Sequence, residues 1–264
     1  MYMIYFICDN NLLHFFIDYI GSIQSNYNNI KIIQNIHEIE HMDYNSKYIF
    51  VQRLRDISQE IMNDYDFYLL NTEQLSKREW VDYLLGVNIK IIDYSMANIQ
   101  CLLPYISRPL YYLPYMVNKN EIYNYEKIYD IAVIGHWTDS YRMNITDNIP
   151  NINIIEGYGL ERDERLFKHK ILLNVHFNER FKIFEQMRCN RCILNKMIII
   201  TEKSLDIDYE LKEYMIECEY GDLVSTTQTV LENYEYYYNK LFENFDIEKI
   251  EKMYKKLGDE VIDI

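Results

Sequence analysis

The sequence predicts an α/β protein built as two successive lobes, each a parallel sheet with helices on both faces. Three observations carry that prediction. Short runs rich in Ile, Val, Phe and Tyr recur between longer stretches with helical spacing, which is the rhythm of alternating strand and helix. The rhythm breaks around Pro114, where 115–127 is polar, tyrosine-rich and aperiodic, and then it restarts. Hydrophobic residues fill 49% of the 264 positions and charged residues 26%, which supplies a packed core and leaves room for two small lobes.

In the first lobe, taken as 1–116, strands are expected over 3–8, 30–33, 48–51, 67–71, 89–93 and 111–113, with helices over 12–23, 57–63, 77–84 and 96–103. The second lobe, 117–244, has expected strands over 130–134, 152–155, 171–175, 197–201 and 215–219. Its expected helices cover 140–148, 161–167, 181–191 and 223–242. After a break at 244–246, an amphipathic helix over 247–257 belongs to a terminal segment, 245–264, that could pack back across the first lobe. No tandem repeat is visible.

Composition excludes several functional classes. Against 41 acidic residues stand 27 basic ones, a net charge of −14, so neither a nucleic-acid backbone nor an anionic lipid surface is an expected partner. Five scattered cysteines do not form a secreted disulfide framework and are read as reduced thiols in a cytoplasmic setting. The opening MYMIYFICDN lacks a basic flank, and no apolar run approaches 18 residues, so neither a leader nor a membrane span is expected. Only seven glycines occur and no GxGxxG fingerprint. The 27 tyrosines reflect in part an AT-rich genome, so no single Tyr is taken as a functional signal.

Ligands of open parallel sheets bind beyond the carboxyl ends of the strands, so polar residues just after a strand are the ones to inspect. The densest such stretch is KILLNVHFNERFKIFEQMRCNRCILNKMIIITEKS, from Lys170 to Ser204. There an apolar strand ends in Asn174 and His176, F-E-x-x-R-C follows, and N-K leads into a second apolar strand ending in T-E. This order resembles the second lobe of GT-B glycosyltransferases, in the small branch found in large DNA viruses and related to CgeB-like bacterial enzymes. YDIAVIGHWTDSYR, GYGLERD, NTEQL, DYSMAN and YLPY also fit that branch, so the resemblance covers most of the chain.

The resemblance implies two Rossmann-like lobes facing a central cleft. It also implies sugar transfer from a UDP- or GDP-linked donor to a glycan or other hydroxyl acceptor, without a required metal. Glu185 is its candidate for the ribose hydroxyls. Gly135, directly after a strand, would let the backbone approach the diphosphate, and Arg142 could place a guanidinium there. His136, Lys170, Asn174, His176 and Arg188 complete the candidate donor site. In many retaining members a second glutamate stands eight positions earlier; here that position is Phe177, so the stereochemistry stays open. The catalytic base is expected in the first lobe, with Glu73 of NTEQL preferred over Asp9 and His14, and a helix-capping role as its rival. The same features leave room for a non-catalytic sugar-nucleotide or glycan binding protein.

Two rival motifs are weaker. Cys189 and Cys192 form a lone CxxC on a helical segment without the second pair that a zinc site needs. Asp206 and Asp208 have the DxD spacing of metal-dependent single-lobe transferases, a spacing that chance also produces in so acidic a chain, as at Asp64 and Asp66.

Overall fold

In the computed structural model, which describes residues 2–135, 137–206 and 209–262, with Gln59 by its backbone only, the β/α rhythm folds as two units. One unit comprises the described residues of Met1–Asn118 and Ile250–Ile264, the other Lys119–Lys249.

The first unit runs β1 (Ile4–Ile7), α1 (Asn10–Gln24), β2 (Ile30–Ile33), β3 (Lys47–Val51), α2 (Gln59–Asp64), β4 (Asp66–Asn71), α3 (Arg78–Gly86), β5 (Lys90–Asp93), α4 (Met96–Leu102) and β6 (Leu110–Tyr112). Its strands form one parallel sheet in the order β2-β1-β3-β4-β5-β6. Register aligns Ile33, Ile7, Phe50, Leu69, Ile91 and Leu110 in one row across the sheet. All five residues of β3 are buried, as expected of a central parallel strand covered by helices on both faces.

The second unit runs β7 (Tyr129–Ile134), α5 (Ser140–Thr146), β8 (Ile152–Ile155), α6 (Gly159–Leu166), β9 (His169–Asn174), α7 (Gln186–Leu194), β10 (Ile198–Glu202), β11 (Met215–Cys218), α8 (Leu223–Glu232) and α9 (Tyr234–Phe242). Its sheet is also parallel, in the order β11-β10-β9-β7-β8. Beside it lies a buried ion network: Asp163 accepts from Arg162 and from Arg191, each at 2.6 Å, and Arg191 also donates to Glu121 at 2.7 Å. The ERD of the GYGLERD motif therefore holds α6 to α7.

The last helix, α10 (Ile247–Ile262), joins the first unit from Ile250 onward. There the buried Lys47 ammonium donates to the Val261 carbonyl at 2.8 Å, meeting the negative end of the helix. Tyr27 donates to Asp259 at 2.9 Å. Gly258 lets the helix approach so closely that an added Cβ would overlap the Tyr27 hydroxyl and lie 2.8 Å from Met116 Cε.

Four sequence expectations need correction. The helix expected over 181–191 begins only at Gln186, because the backbone before it is engaged elsewhere: the Phe184 N–H donates to buried Asp206 at 2.8 Å, and the Lys182 carbonyl accepts from Leu205. The single helix expected over 223–242 is two, interrupted at Asn233, whose side chain donates back to the Thr229 carbonyl at 2.9 Å. Helix α10 continues five residues past the expected end at 257. Finally, the stretch 115–127, read as polar, begins as core: Tyr115, Met116 and Val117 are buried in the first unit, where the Met116 N–H donates to Ser22.

Candidate functional site

Each sheet reverses its winding direction once, between β1 and β3 in the first unit and between β7 and β9 in the second. Loops leaving the carboxyl ends of such strands diverge to opposite faces and open a crevice, the usual ligand position in open α/β sheets. In the second unit the described candidate residues that cluster do so at this reversal, whereas in the first unit the residues around Glu73 gather at the ends of β4 and β5.

In the second unit, Gly135 follows β7 with φ +96°, a left-handed conformation that glycine adopts without strain. Directly over it lies the Arg188 guanidinium, 3.6 Å from where a Cβ would stand. Arg188, in the first turn of α7, is not a surface helix arginine: it donates to Asn174 Oδ1 at 2.9 Å. The Asn174 amide is in turn oriented by donating to Thr201 Oγ1 at 3.0 Å, across the β9–β10 pair. Arg142, on α5, is buried and donates through Nε to the Val175 and His176 carbonyls at 3.2 and 3.3 Å. Burial pushes its pKa down to about 10, and the neighbouring Arg188 charge adds to that. One guanidinium thus lies over a glycine turn, and a second is near enough for the two charges to interact, in a strongly acidic chain.

Glu185 occupies the N-cap position of α7 and makes no side-chain cap bond there. It is near enough to both Arg142 and His176 for its charge to favour their protonated forms. His176 is buried, and its Nε2 donates to the Lys203 carbonyl at 3.1 Å, which leaves Nδ1 as a buried acceptor without a partner. Burial holds its pKa below the ordinary histidine value. Behind it lies Glu202, a residue outside the candidate set: it accepts from Tyr141 at 2.7 Å and from the His176 N–H at 3.3 Å, and is 3% exposed. In the sequence it is marked as the E of the T-E that ends an apolar strand.

Lys170 does not join this cluster. It starts β9 instead of ending it, about 13 Å from Asn174 along the strand, and pairs with Asp130 at 2.8 Å. His136 lies outside the described residues, as does Asp208. Asp206 is committed to Phe184, as described above. Cys189 and Cys192 are fully buried on α7, with burial raising both thiols, Cys192 to about 12. Among the described residues no group of three His, Cys, Asp or Glu could hold a metal ion, and none of their helices is long and apolar enough to cross a membrane.

In the first unit, NTEQL and DYSMAN form one buried network. Asn71 donates to Asp93 at 2.6 Å and to the Glu73 carbonyl at 2.9 Å, and accepts from Trp80 Nε1 at 2.7 Å. Asn98 donates to Asp93 and to the Glu73 carbonyl, both at 3.0 Å. The backbone of Glu73 is thereby fixed at the end of β4, and its carboxylate accepts from Gln52 Nε2 at 2.7 Å. Glu73 is not a helix cap: α3 begins at Arg78 and its N-cap is Lys77. The carboxylate lines a recess of about 250 Å³ with Gln52, Arg53, Lys77, Glu79 and Trp80.

Asp9 and His14 have other settings. Asp9 is the N-cap of α1, accepting from Asn11 at 2.8 Å, and forms an ion pair with Arg55. Those bonds hold its carboxyl below the usual range, the reverse of what a base requires. It borders a second recess, of about 350 Å³, at the β1/β3 reversal. His14 is exposed on α1, its ring against that of Phe15.

No protein-family model matches the chain. A relative does: uncharacterized protein L140 of Acanthamoeba polyphaga mimivirus is 30% identical over 247 residues, covering 84% of this chain and 78% of its own. The chain belongs to the family of L140. Among solved structures, Anabaena HepE in complex with UDP-glucose matches with a TM-score of 0.61 at 7% identity, covering 99% of this chain and 100% of that one. WaaG, a glycosyltransferase involved in lipopolysaccharide biosynthesis, matches with a TM-score of 0.54 at 8% identity over 98% and 100%. At such low identity the likeness speaks to the fold, which is that of GT-B glycosyltransferases: two Rossmann-like lobes, here in a member of a giant-virus family.

Proposed function

We propose that the protein is a glycosyltransferase that moves a sugar from a nucleotide-diphosphate donor to a hydroxyl acceptor such as a glycan. The observation that carries this reading is Arg188 over Gly135, with Arg142 near enough for their charges to interact, at the β7/β9 reversal of a chain with net charge −14. That pair, with the turn backbone at Gly135, suits a diphosphate. Glu185 would take the ribose hydroxyls, and His176 Nδ1 offers a buried acceptor for a further donor-substrate hydroxyl. The shared fold with a UDP-glucose complex supports the same assignment.

In the first unit Glu73 would serve as general base. As the acceptor oxygen bonds to the anomeric carbon, its proton passes to the Glu73 carboxylate. The bond from the anomeric carbon to the diphosphate oxygen breaks, and the diphosphate leaves with the electron pair. Arg188 and Arg142 meet the charge that develops on it. We expect no divalent cation to be needed, since this pair supplies the counter-charge.

Calorimetry with UDP and GDP, with and without EDTA, followed by a test for release of UDP from UDP-glucose, checks the proposal. Glu185→Gln removes a charged acceptor worth about 1.5–3 kcal/mol, so nucleotide affinity should fall about 10- to 100-fold. Unchanged affinity would take Glu185 out of the site. Nucleotide binding without turnover on any acceptor would favour the binding-protein reading. That alternative has one observation behind it: Phe177, where many retaining enzymes carry glutamate, packs edge-on against Phe181 and faces the Arg142 guanidinium.

A further inference from the structure

We infer that Gln52 is a positioning residue for Glu73, its side-chain amide fixing one carboxylate oxygen from a strained turn kept for that purpose; the inference rests on reading Glu73 as the base. The chain leaves β3 at Gln52 with φ +70°, in the left-handed region that glycine occupies freely and a Cβ-bearing residue disfavours. The Arg53 N–H donates to the Val51 carbonyl at 2.8 Å, closing a three-residue turn about Gln52. With positive φ this is the rare, strained form of the γ-turn. The Gln52 N–H still donates to the Leu70 carbonyl on β4, also at 2.8 Å, so the turn is anchored on both sides.

Glycine would make the same turn without strain, so the turn alone does not call for glutamine. What glutamine adds is reach: from this backbone its Nε2 arrives 2.7 Å from Glu73 Oε1. The network of Asn71 and Asn98 holds the Glu73 backbone, and Gln52 reaches its side chain. The other charged groups lining the same recess are Arg53, Lys77 and Glu79, with Asp93 behind Asn71. A neutral amide orients the carboxylate through a hydrogen bond and adds no charge of its own. That property suits a base that must accept a proton during turnover.

The test uses the full chain with Gln52→Gly and Gln52→Asn. Glycine relieves the strained φ, and asparagine tolerates it but is one methylene too short to reach Glu73. The Glu73 carboxyl is followed by ¹³C NMR titration, assigned by its loss in Glu73→Gln, alongside melting temperature and the pH profile of UDP-glucose hydrolysis. Both variants should melt no lower than the parent while the Glu73 pKa rises by about one unit. The acidic limb of the pH profile should move up with it. An unmoved Glu73 titration, or a melting temperature that falls in both variants, would overturn the proposal and leave Gln52 a purely structural turn residue. A parent that does not hydrolyse UDP-glucose counts against the transferase reading alone, because the titration decides the Gln52–Glu73 pairing by itself.

Discussion

Two histidines show how burial sets a residue's chemistry. His169 and His176 are both buried, and in both the desolvation of the imidazolium is the leading cause of a pKa below the ordinary value of 6.5. Between that lowered pKa and 6.5 the unfolded chain binds more protons than the folded one. Their contribution to stability is therefore complete above about pH 6.5 and is lost as the pH falls through the folded pKa. The chain's −14 charge acts the other way, since acidification relieves self-repulsion. The measurement is consequently a difference: the urea midpoint of the parent should fall more steeply between pH 7.5 and 5.5 than that of His169→Gln/His176→Gln. Parallel profiles would show that neither histidine is neutral in the folded state for the reason given.

Among the elements, α7 carries both stability and site. Its outer end presents Arg188 and Glu185, while Arg191 one turn on is 3% exposed and shares Asp163 with Arg162. Removing that carboxylate leaves two buried guanidiniums with less counter-charge, and breaking buried pairs of this kind costs about 3–5 kcal/mol. Asp163→Ala should therefore lower the urea unfolding free energy by several kcal/mol, and a loss below about 1 kcal/mol would mean the network is solvated. The ERD of GYGLERD was read from sequence as part of a family pattern, with no role attached. Its role was illegible because its partner, Arg191, stands 28 residues from Asp163. The start of α7 was misplaced for a related reason: local spacing favours a helix from 181, but the distant Asp206 claims the Phe184 N–H.

At the scale of the whole molecule, the recess after β4 in the first unit and the sheet reversal of the second imply separable roles. Glu73→Gln should lower turnover by about 10²- to 10⁴-fold with nucleotide affinity unchanged, because the lost interaction belongs to the transition state. Arg188→Ala should weaken UDP binding while leaving the Glu73 titration in place. If both variants moved affinity and turnover together, the division of labour would be wrong. The assay is steady-state hydrolysis of UDP-glucose beside calorimetry on the same preparations.

The alternation of strand and helix, the break near Pro114 and the polar residues after strands, Glu73, Gly135 and Asn174 among them, were legible in the chain alone, while Glu185 and Arg188 came from the family resemblance of F-E-x-x-R-C. The former are legible because burial on both faces of a parallel sheet imposes apolar runs, and because ligand-facing residues must follow those runs directly. Tertiary structure decided which of the candidates meet. Arg188 meets Asn174, Lys170 starts its strand instead of ending it and pairs with Asp130, and Asp9 is engaged as a helix cap and with Arg55. Gln52 entered only through a partner 21 residues away, and Glu202, marked in sequence by its T-E, met His176 26 residues away. A hydrogen bond across neighbouring strands depends on register and turn geometry, and neither leaves a periodic trace in the chain.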